Sequence, residues 1–324
     1  MNDVSKTIKK MKPIISPVER KLIEKELTQQ TFVRKTNNAN NEIYIVTNEN
    51  APNTVREIGR LREVSFRDAG GGTGEEIDLD EFDTGDHDCF KQLFVWNPRD
   101  KEIIGGYRFL HCKNLKREAD GMVHTPTAHL FEYSDKFINE YLPLTVELGR
   151  SFVQPLYQPA FSLRKGMYSL DNLWDGLGAI IVDNPEVHYF FGKFTMYPQY
   201  NREARDLIHY FLDVYFGDSE NLVWPIKELE LQIETPMSIL KPILSGGSLE
   251  ADYRILIHKI RSLGENIPPL VNAYMSLSST MKSFGTAMNY PFGNVEETGI
   301  IITIGDIYDG KKDRHITTYS RDKI

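Results

Sequence analysis

Glu147 and Arg150 stand three residues apart in Thr145-Val146-Glu147-Leu148-Gly149-Arg150-Ser151-Phe152-Val153, where apolar and polar residues alternate as in a strand. A carboxylate delivered between apolar neighbours can be desolvated and tuned as a general base. A guanidinium beside it can orient it, or grip a substrate carboxylate in bidentate fashion. The same two residues also suit a buried ion-pair network with Arg62, Arg108, Asp80 and Asp83 that only fixes the fold. Arg62 and Phe66 lie one helical turn apart, and Arg108 interrupts Tyr107, Phe109 and Leu110. A buried arginine needs an acidic partner, for which Glu147 and the acidic segment Asp78 to Asp88 are the candidates. That segment holds Asp78, Asp80, Glu81, Asp83, Asp86 and Asp88 with His87. It lacks the EF-hand register, so a solvated loop, or one that holds a substrate amine, is the better account, and no metal is expected. Farther on, Arg164-Lys165-Gly166 precede Ser169, which reads as a helix cap. Two cations and a glycine before a helix N-terminus suit a phosphate, a pattern equally common with no ligand.

Short strands and helices must position these residues. Ser16-Pro17-Val18-Glu19 reads as a capping box opening a helix to about Gln30, and Thr36 to Asn41 as a linker. Strands are predicted over 42–47, 90–96, 102–110, 145–153, 188–197 and 298–307, with a turn at Asn97-Pro98-Arg99-Asp100. Helices are predicted over 54–67, 169–182, 202–216, 250–263 and 269–283, the third capped by Asn201. Gly105-Gly106 implies a bulge or a close backbone approach. Gly70-Gly71-Gly72-Thr73-Gly74 reads as a mobile loop over a site, since no Lys-Ser/Thr follows to make it a phosphate cradle. This order predicts an α+β fold, a three-layer α/β/α sandwich with a mixed central sheet flanked by helices. The divisions are a basic, helical extension over 1–41, one domain over 42–310 and a polar tail over 311–324.

The bulk properties remove several classes. Of 324 residues, 40% are hydrophobic and 11% aromatic, which fits an ordered globular chain. A net charge of -8 argues against general nucleic-acid binding. Cys89 and Cys112 cannot make a disulfide framework or a zinc site, and read as buried thiols in a reducing compartment. With no membrane-length apolar run and no signal-peptide core, a cytoplasmic location is expected. Val4, Ile8, Met11 and Ile15 beside several lysines would suit an anionic membrane surface or an acidic protein partner, against the plainer reading of a solvated tail.

The motifs Arg62-x-x-x-Phe66, Asp80-Glu81-Phe82-Asp83, Gly106-Tyr107-Arg108 and Glu147-Leu148-Gly149-Arg150-Ser151, in this order, resemble a GNAT-like group. It contains acyl-homoserine lactone synthases and the ornithine-lipid and glycine-lipid N-acyltransferases, some called hemolysin-like. Leu173-Trp174-Asp175-Gly176-Leu177 and Phe284-Gly285-Thr286 with Phe292-Gly293 look most like the lipid-forming members. The resemblance spans about Glu42 to Ile307. It implies transfer of a fatty acyl group, 3-hydroxylated or not, from the phosphopantetheine thioester of acyl carrier protein to the amine of a small amino acid such as glycine or ornithine. Arg164-Lys165-Gly166-Met167-Tyr168 departs from the pyrophosphate pattern of acetyl-CoA enzymes, which favours the single phosphate of a carrier arm over CoA. No tightly bound cofactor is implied. On this reading Glu147 is the base and Arg150 its orienting partner or the grip on the acceptor carboxylate, with Arg108 the second candidate for that grip. Asp80 and Asp83 would hold Arg62 or the acceptor ammonium. Phe66 and Trp174 would line the acyl channel, amides of Phe152 to Gln154 would polarise the thioester, and Arg164, Lys165, Gly166 and Ser169 would meet the phosphate. The alternatives are a GNAT enzyme using acetyl-CoA or another short acyl-CoA, and a catalytically silent carrier- or lipid-binding protein.

Overall fold

The computed structural model describes residues 11–85, 89–119 and 121–321. Its strands are β1 (Phe32–Lys35), β2 (Glu42–Val46), β3 (Lys91–Asn97), β4 (Glu102–His111), β5 (Phe131–Tyr133), β6 (Thr145–Val153), β7 (Tyr189–Met196), β8 (Val223–Pro225), β9 (Lys282–Asn289) and β10 (Val295–Thr303). The helices are α1 (Arg20–Glu26), α2 (Pro52–Asp68), α3 (Glu81–Thr84), α4 (Leu163–Gly166), α5 (Ser169–Asp183), α6 (Arg202–Phe216), α7 (Met237–Leu240), α8 (Leu249–Ser262), α9 (Pro269–Met275) and α10 (Asp309–His315).

Eight strands form one mixed sheet in the order β1-β2-β3-β4-β6-β7-β10-β9, antiparallel except where β6 runs parallel to β7. Alternation sends the two faces to separate cores. Leu93, Val95, Val146 and Leu148 pack against α5, α6, α8 and α9, while Phe94, Trp96 and Phe152 pack against α2. Segment 112–142 covers the rest of that second face through Phe131, Tyr133 and Phe137. The architecture is the three-layer α/β/α sandwich expected.

The β6–β7 ladder is short. It runs from Thr145↔Tyr189 to Leu148↔Gly192 and stops, although both strands continue. β6 keeps its antiparallel partner β4 to the end, with a bulge opposite Gly106–Arg108. Arg150 sits there at φ +49. Beyond Leu148 the β6 main chain therefore has a sheet neighbour on one side only, and the layers part.

Local signals explain some element ends. Asn201 caps α6 through Ala204 N–H, and Asn97 Oδ1 accepts from the amides of Arg99 and Asp100 in the β3–β4 turn. Other expectations are corrected. The first helix starts at Arg20 with no side-chain cap, so Ser16 does not open it. β1 lies before the expected domain start and is the edge strand of the same sheet, with Thr36 to Asn41 as its hairpin turn to β2. The helix expected over 269–283 ends at Met275, and β9 follows. The polar tail begins with α10, whose buried His315 Nδ1 lies 2.8 Å from Asp175. The glycine loop is packed, not free: the Glu63 carboxylate accepts from the amides of Thr73 and Gly74, and Gly71 lies against Tyr197 and Val295. Val4, Ile8, Asp86, His87 and Asp88 lie outside the described residues. No helix among the described residues is long and apolar enough to cross a membrane.

The close approach expected at Gly105-Gly106 is present: a Cβ on Gly105 would stand 2.3 Å from the Phe152 carbonyl oxygen. Gly105→Ala must push β4 and β6 apart, so a thermal melt should show a loss of about 1–3 kcal/mol, as for other overpacked sites. An unchanged melt would mean the two strands give way freely.

Candidate active site

Five of the six residues that open the sequence reading come together, and one stands apart. Arg62 is fully buried; its Nε donates to Asp78 at 3.0 Å and its Nη1 and Nη2 to the two oxygens of Asp83 at 3.0 and 3.1 Å. Arg108 Nη1 donates to Asp80 at 2.7 Å and to Asp83 at 3.0 Å. Arg150 Nε donates to Asp78 at 3.1 Å, and its guanidinium lies 4.3 Å from the centre of the Phe292 ring. The three arginines are thus held by three aspartates. The acidic loop is not solvated at these positions: Asp78 and Asp83 are each 1% exposed. Asp80 caps the short α3 through Phe82 N–H, which fixes the loop against the arginines.

Burial alone would raise the carboxyls of Asp78 and Asp83. The arginines outweigh it, Arg150 and Arg62 at Asp78 and Arg62 and Arg108 at Asp83, and hold both below the ordinary value of 3.8. Both stay charged at any pH near neutrality.

Glu147 belongs to a different neighbourhood. Its Oε1 accepts from the Thr127 hydroxyl at 2.6 Å and from the Thr127 amide at 3.3 Å. Its Oε2 is buried without a hydrogen-bond partner among the described residues. Burial and then the nearby Glu147 carboxylate push the Cys112 thiol and the Tyr133 phenol well above their usual values. Both therefore stay neutral beside it. Neither Arg108 nor Arg150 is its partner; the expected pairing with Arg108 is replaced by Asp80 and Asp83.

Glu147, Arg108 and Arg150 all line a cavity of about 940 Å³. It follows the gap between β6 and β7, from Phe66 of α2 past Gly149–Val153 to Ser169 and Leu170 of α5 and Leu270 of α9. Phe66 lines it. Trp174 does not; its ring packs near Tyr274 and His315. Arg62 is behind the wall. Of the residues expected at a phosphate, Gly166 and Ser169 reach the cavity, but Arg164 is exposed outside its lining and Lys165 is committed to Asp100 at 2.7 Å. Ser169 is no cap either: it is the first residue of α5 and its hydroxyl donates to the Tyr157 carbonyl. The bulge lies at Arg150–Ser151, not at Phe152 to Gln154, and the Gln154 amide is already bonded to Ile104.

Four residues outside the motifs, Thr127, His129, Lys193 and Glu297, also belong to this neighbourhood. Lys193 Nζ donates to Thr127 Oγ1 at 3.1 Å and lies 3.7 Å from Glu297 Oε2. His129 also lines the cavity, and burial lowers its pKa, so its imidazole is neutral near pH 7. Lys193 gave the same signal as Glu147, a charged residue between apolar strand neighbours. Thr127 and His129 lie in a segment without periodicity and gave none. Among the described residues no group of three or more His, Cys, Asp or Glu is placed to hold a metal.

The mixed sheet splits at its parallel pair, and the split holds a cavity with a carboxylate in its wall. Residues 61–164 match the family described as Acetyltransferase (GNAT) domain. The chain is 54% identical over 309 residues to a protein named Glycine N(alpha)-acyltransferase from Bacteroides thetaiotaomicron, covering 95% of this chain and 91% of that one. It is 51% identical over 309 residues to one of the same name from Phocaeicola vulgatus, covering 95% and 94%. The chain belongs to this glycine N(alpha)-acyltransferase family. A solved CoA-dependent acyl-homoserine lactone synthase matches at 11% identity over 85% of this chain and 89% of that one, with a TM-score of 0.35, too slight a likeness to argue from.

Asp83→Asn leaves Arg62 and Arg108 short of one buried counter-charge and should cost about 3–5 kcal/mol, read by chemical or thermal denaturation. A cost under ~1 kcal/mol would mean the lattice carries little stability. Asp78 and Asp83 have depressed folded pKa values, so their contribution is complete well above the unfolded value of 3.8 and is lost as pH falls below it. Melting temperature should hold from pH 7 to about 5 and drop below about pH 4. A midpoint of loss near neutrality would assign it to other groups.

Proposed function

We propose that the chain moves a fatty acyl group from the phosphopantetheine thioester of an acyl carrier protein to the amine of glycine, giving an N-acyl glycine. The observation that carries this reading is Glu147: an ionisable carboxyl in the cavity wall, held at Oε1 and unpartnered at Oε2. An amino acid reaches the site as an ammonium and must lose a proton before it can attack. Glu147 Oε2 takes that proton. The neutral nitrogen attacks the thioester carbonyl, and the carbonyl oxygen takes up negative charge beside the Gly149–Val153 main chain, bare of a strand partner on its β7 side. The C–S bond then breaks, the nitrogen gives its second proton to the departing thiolate, and the first proton leaves Glu147 for solvent.

Glycine as acceptor follows from the two relatives, each named for that activity. A long acyl chain suits a cavity of about 940 Å³ walled by Phe66, Phe82, Phe152, Leu170, Leu270 and Phe292, at the upper end of the ~300–1,000 Å³ usual for ligand sites. With Lys165 bound to Asp100 and held over the Tyr157 ring, the pyrophosphate of CoA would lack that cation, which favours a carrier arm as donor.

Purified protein supplied with acyl carrier protein bearing long acyl chains, or with acetyl-CoA, and with glycine should make N-acyl glycine from the loaded carrier. Product from acetyl-CoA alone would overturn the donor. Glu147→Gln should lower kcat by about 10²–10⁴-fold while keeping the melting temperature. Unchanged turnover would remove Glu147 as the base.

A further inference from the structure

We infer that Lys193 recognises the carboxylate of the amino-acid acceptor, so that glycine is read at both ends by one cluster: its amine by Glu147, its carboxylate by Lys193. This rests on the reading of the chain as a glycine acylator and names the groups that select that acceptor.

The described residues lining the cavity carry three fixed positive charges, Arg108, Arg150 and Lys193. Two already face carboxylates: Arg150 is bound to Asp78 through Nε, and Arg108 to Asp80 and Asp83 through Nη1, although Arg108 Nε, buried close to Gly149, has no hydrogen-bond partner among the described residues. With three guanidinium groups facing three carboxylates, that lattice is formally neutral and leaves little charge for a ligand.

The Lys193 cluster is built differently. Lys193 stands one residue past the last β6–β7 pair, where the split begins. Its contact with Glu297 is long, at 3.7 Å, and Glu297 meets its other partners, Thr195 and Asn289, only at 3.5 and 3.3 Å. Lys193 Nζ also donates to Thr127 Oγ1 at 3.1 Å. An ammonium has only protons to give, so the single Thr127 hydroxyl proton is directed to Glu147. Glu147, Thr127 and Lys193 are thereby fixed in a row. Two carboxylates share one ammonium here, a formal charge of minus one, and the contacts are loose enough to open. A zwitterion answers this arrangement: its ammonium goes between the carboxylates and its carboxylate to Lys193.

Glycinamide keeps the amine of glycine and removes the anionic end. Wild-type protein with the loaded carrier should acylate glycine with a kcat/KM at least ten-fold above that for glycinamide. In Lys193→Met the KM for glycine should rise at least ten-fold, the KM for the donor should stay within two-fold, and the preference for glycine over glycinamide should shrink to near one. Lys193→Arg should recover most of the preference. A purely structural lysine would lower both acceptors together, and an equal loss, or a wild-type enzyme indifferent to the two, overturns the assignment. Should K193M fail to fold, K193Q in the same two assays decides it. Activity on another amino acid with none on glycine would instead sink the glycine reading, and the same comparison between that acceptor and its amide would then judge Lys193.

Discussion

The lattice of Arg62, Arg108 and Arg150 with Asp78, Asp80 and Asp83 is the constraint on which the cavity depends. It ties α2, the loop before α3, β4 and β6 together by hydrogen bonds of 2.7 to 3.1 Å. Taking Arg62, Arg108, Asp78 and Asp83 out of water is expensive, and a buried pair often gains little over apolar residues of equal volume. What the lattice does supply is geometry. Each aspartate that accepts two arginines permits one relative position of the elements that carry them. Asp83, held at the second turn-end of a capping box and bonded also by Gln92 Nε2, is the pivot.

That geometry reaches the site through Arg150. Unbroken alternation would put residue 150 on the Leu148 face, toward α5, but its aspartate partners are on the α2 face with Arg108. The bulge, with Arg150 at φ +49, turns the side chain across. Positive φ at a non-glycine costs on the order of 1–3 kcal/mol and persists only where the surroundings insist on it. Asp78 and the Phe292 ring provide that insistence. The bulge begins two residues past the last β6–β7 pair, so the residues that close the lattice also lie where the sheet opens.

Much of this was legible from residue types. A charged residue in an apolar strand marks a position that must be answered by something, and Glu147, Arg150 and Arg108 all line the cavity. Which group answers which was not legible. Spacing assigns a face only while the strand is regular, and one extra residue in β6 reverses the assignment for Arg150, so a pair three residues apart became members of two clusters. β9 escaped because Lys282-Ser-Phe-Gly-Thr-Ala-Met-Asn289 has few β-branched residues and follows a helix start with no stop signal before it. β1 is only four residues long. Trp174 sits at a helical spacing that serves core or channel equally, and only the packing of α5 on α9 and α10 decides for the core.

The two charge clusters differ in a way that matches two jobs. In the lattice the charges cancel and the contacts are short, so any ligand that borrowed an arginine would strand an aspartate in a place where a lone charge is costly. Such a cluster is a frame. Around Glu147 the charges do not cancel, one carboxylate oxygen has no partner among the described residues, and Lys193 and Glu297 are held apart. That arrangement is a poor way to stabilise a fold, since an unpaired buried oxygen forfeits hydrogen bonds it would have in water. It becomes favourable when the ammonium of a small zwitterion supplies the missing donors. The frame can then be rigid because it does no chemistry, and the site can be under-satisfied because the frame holds it open.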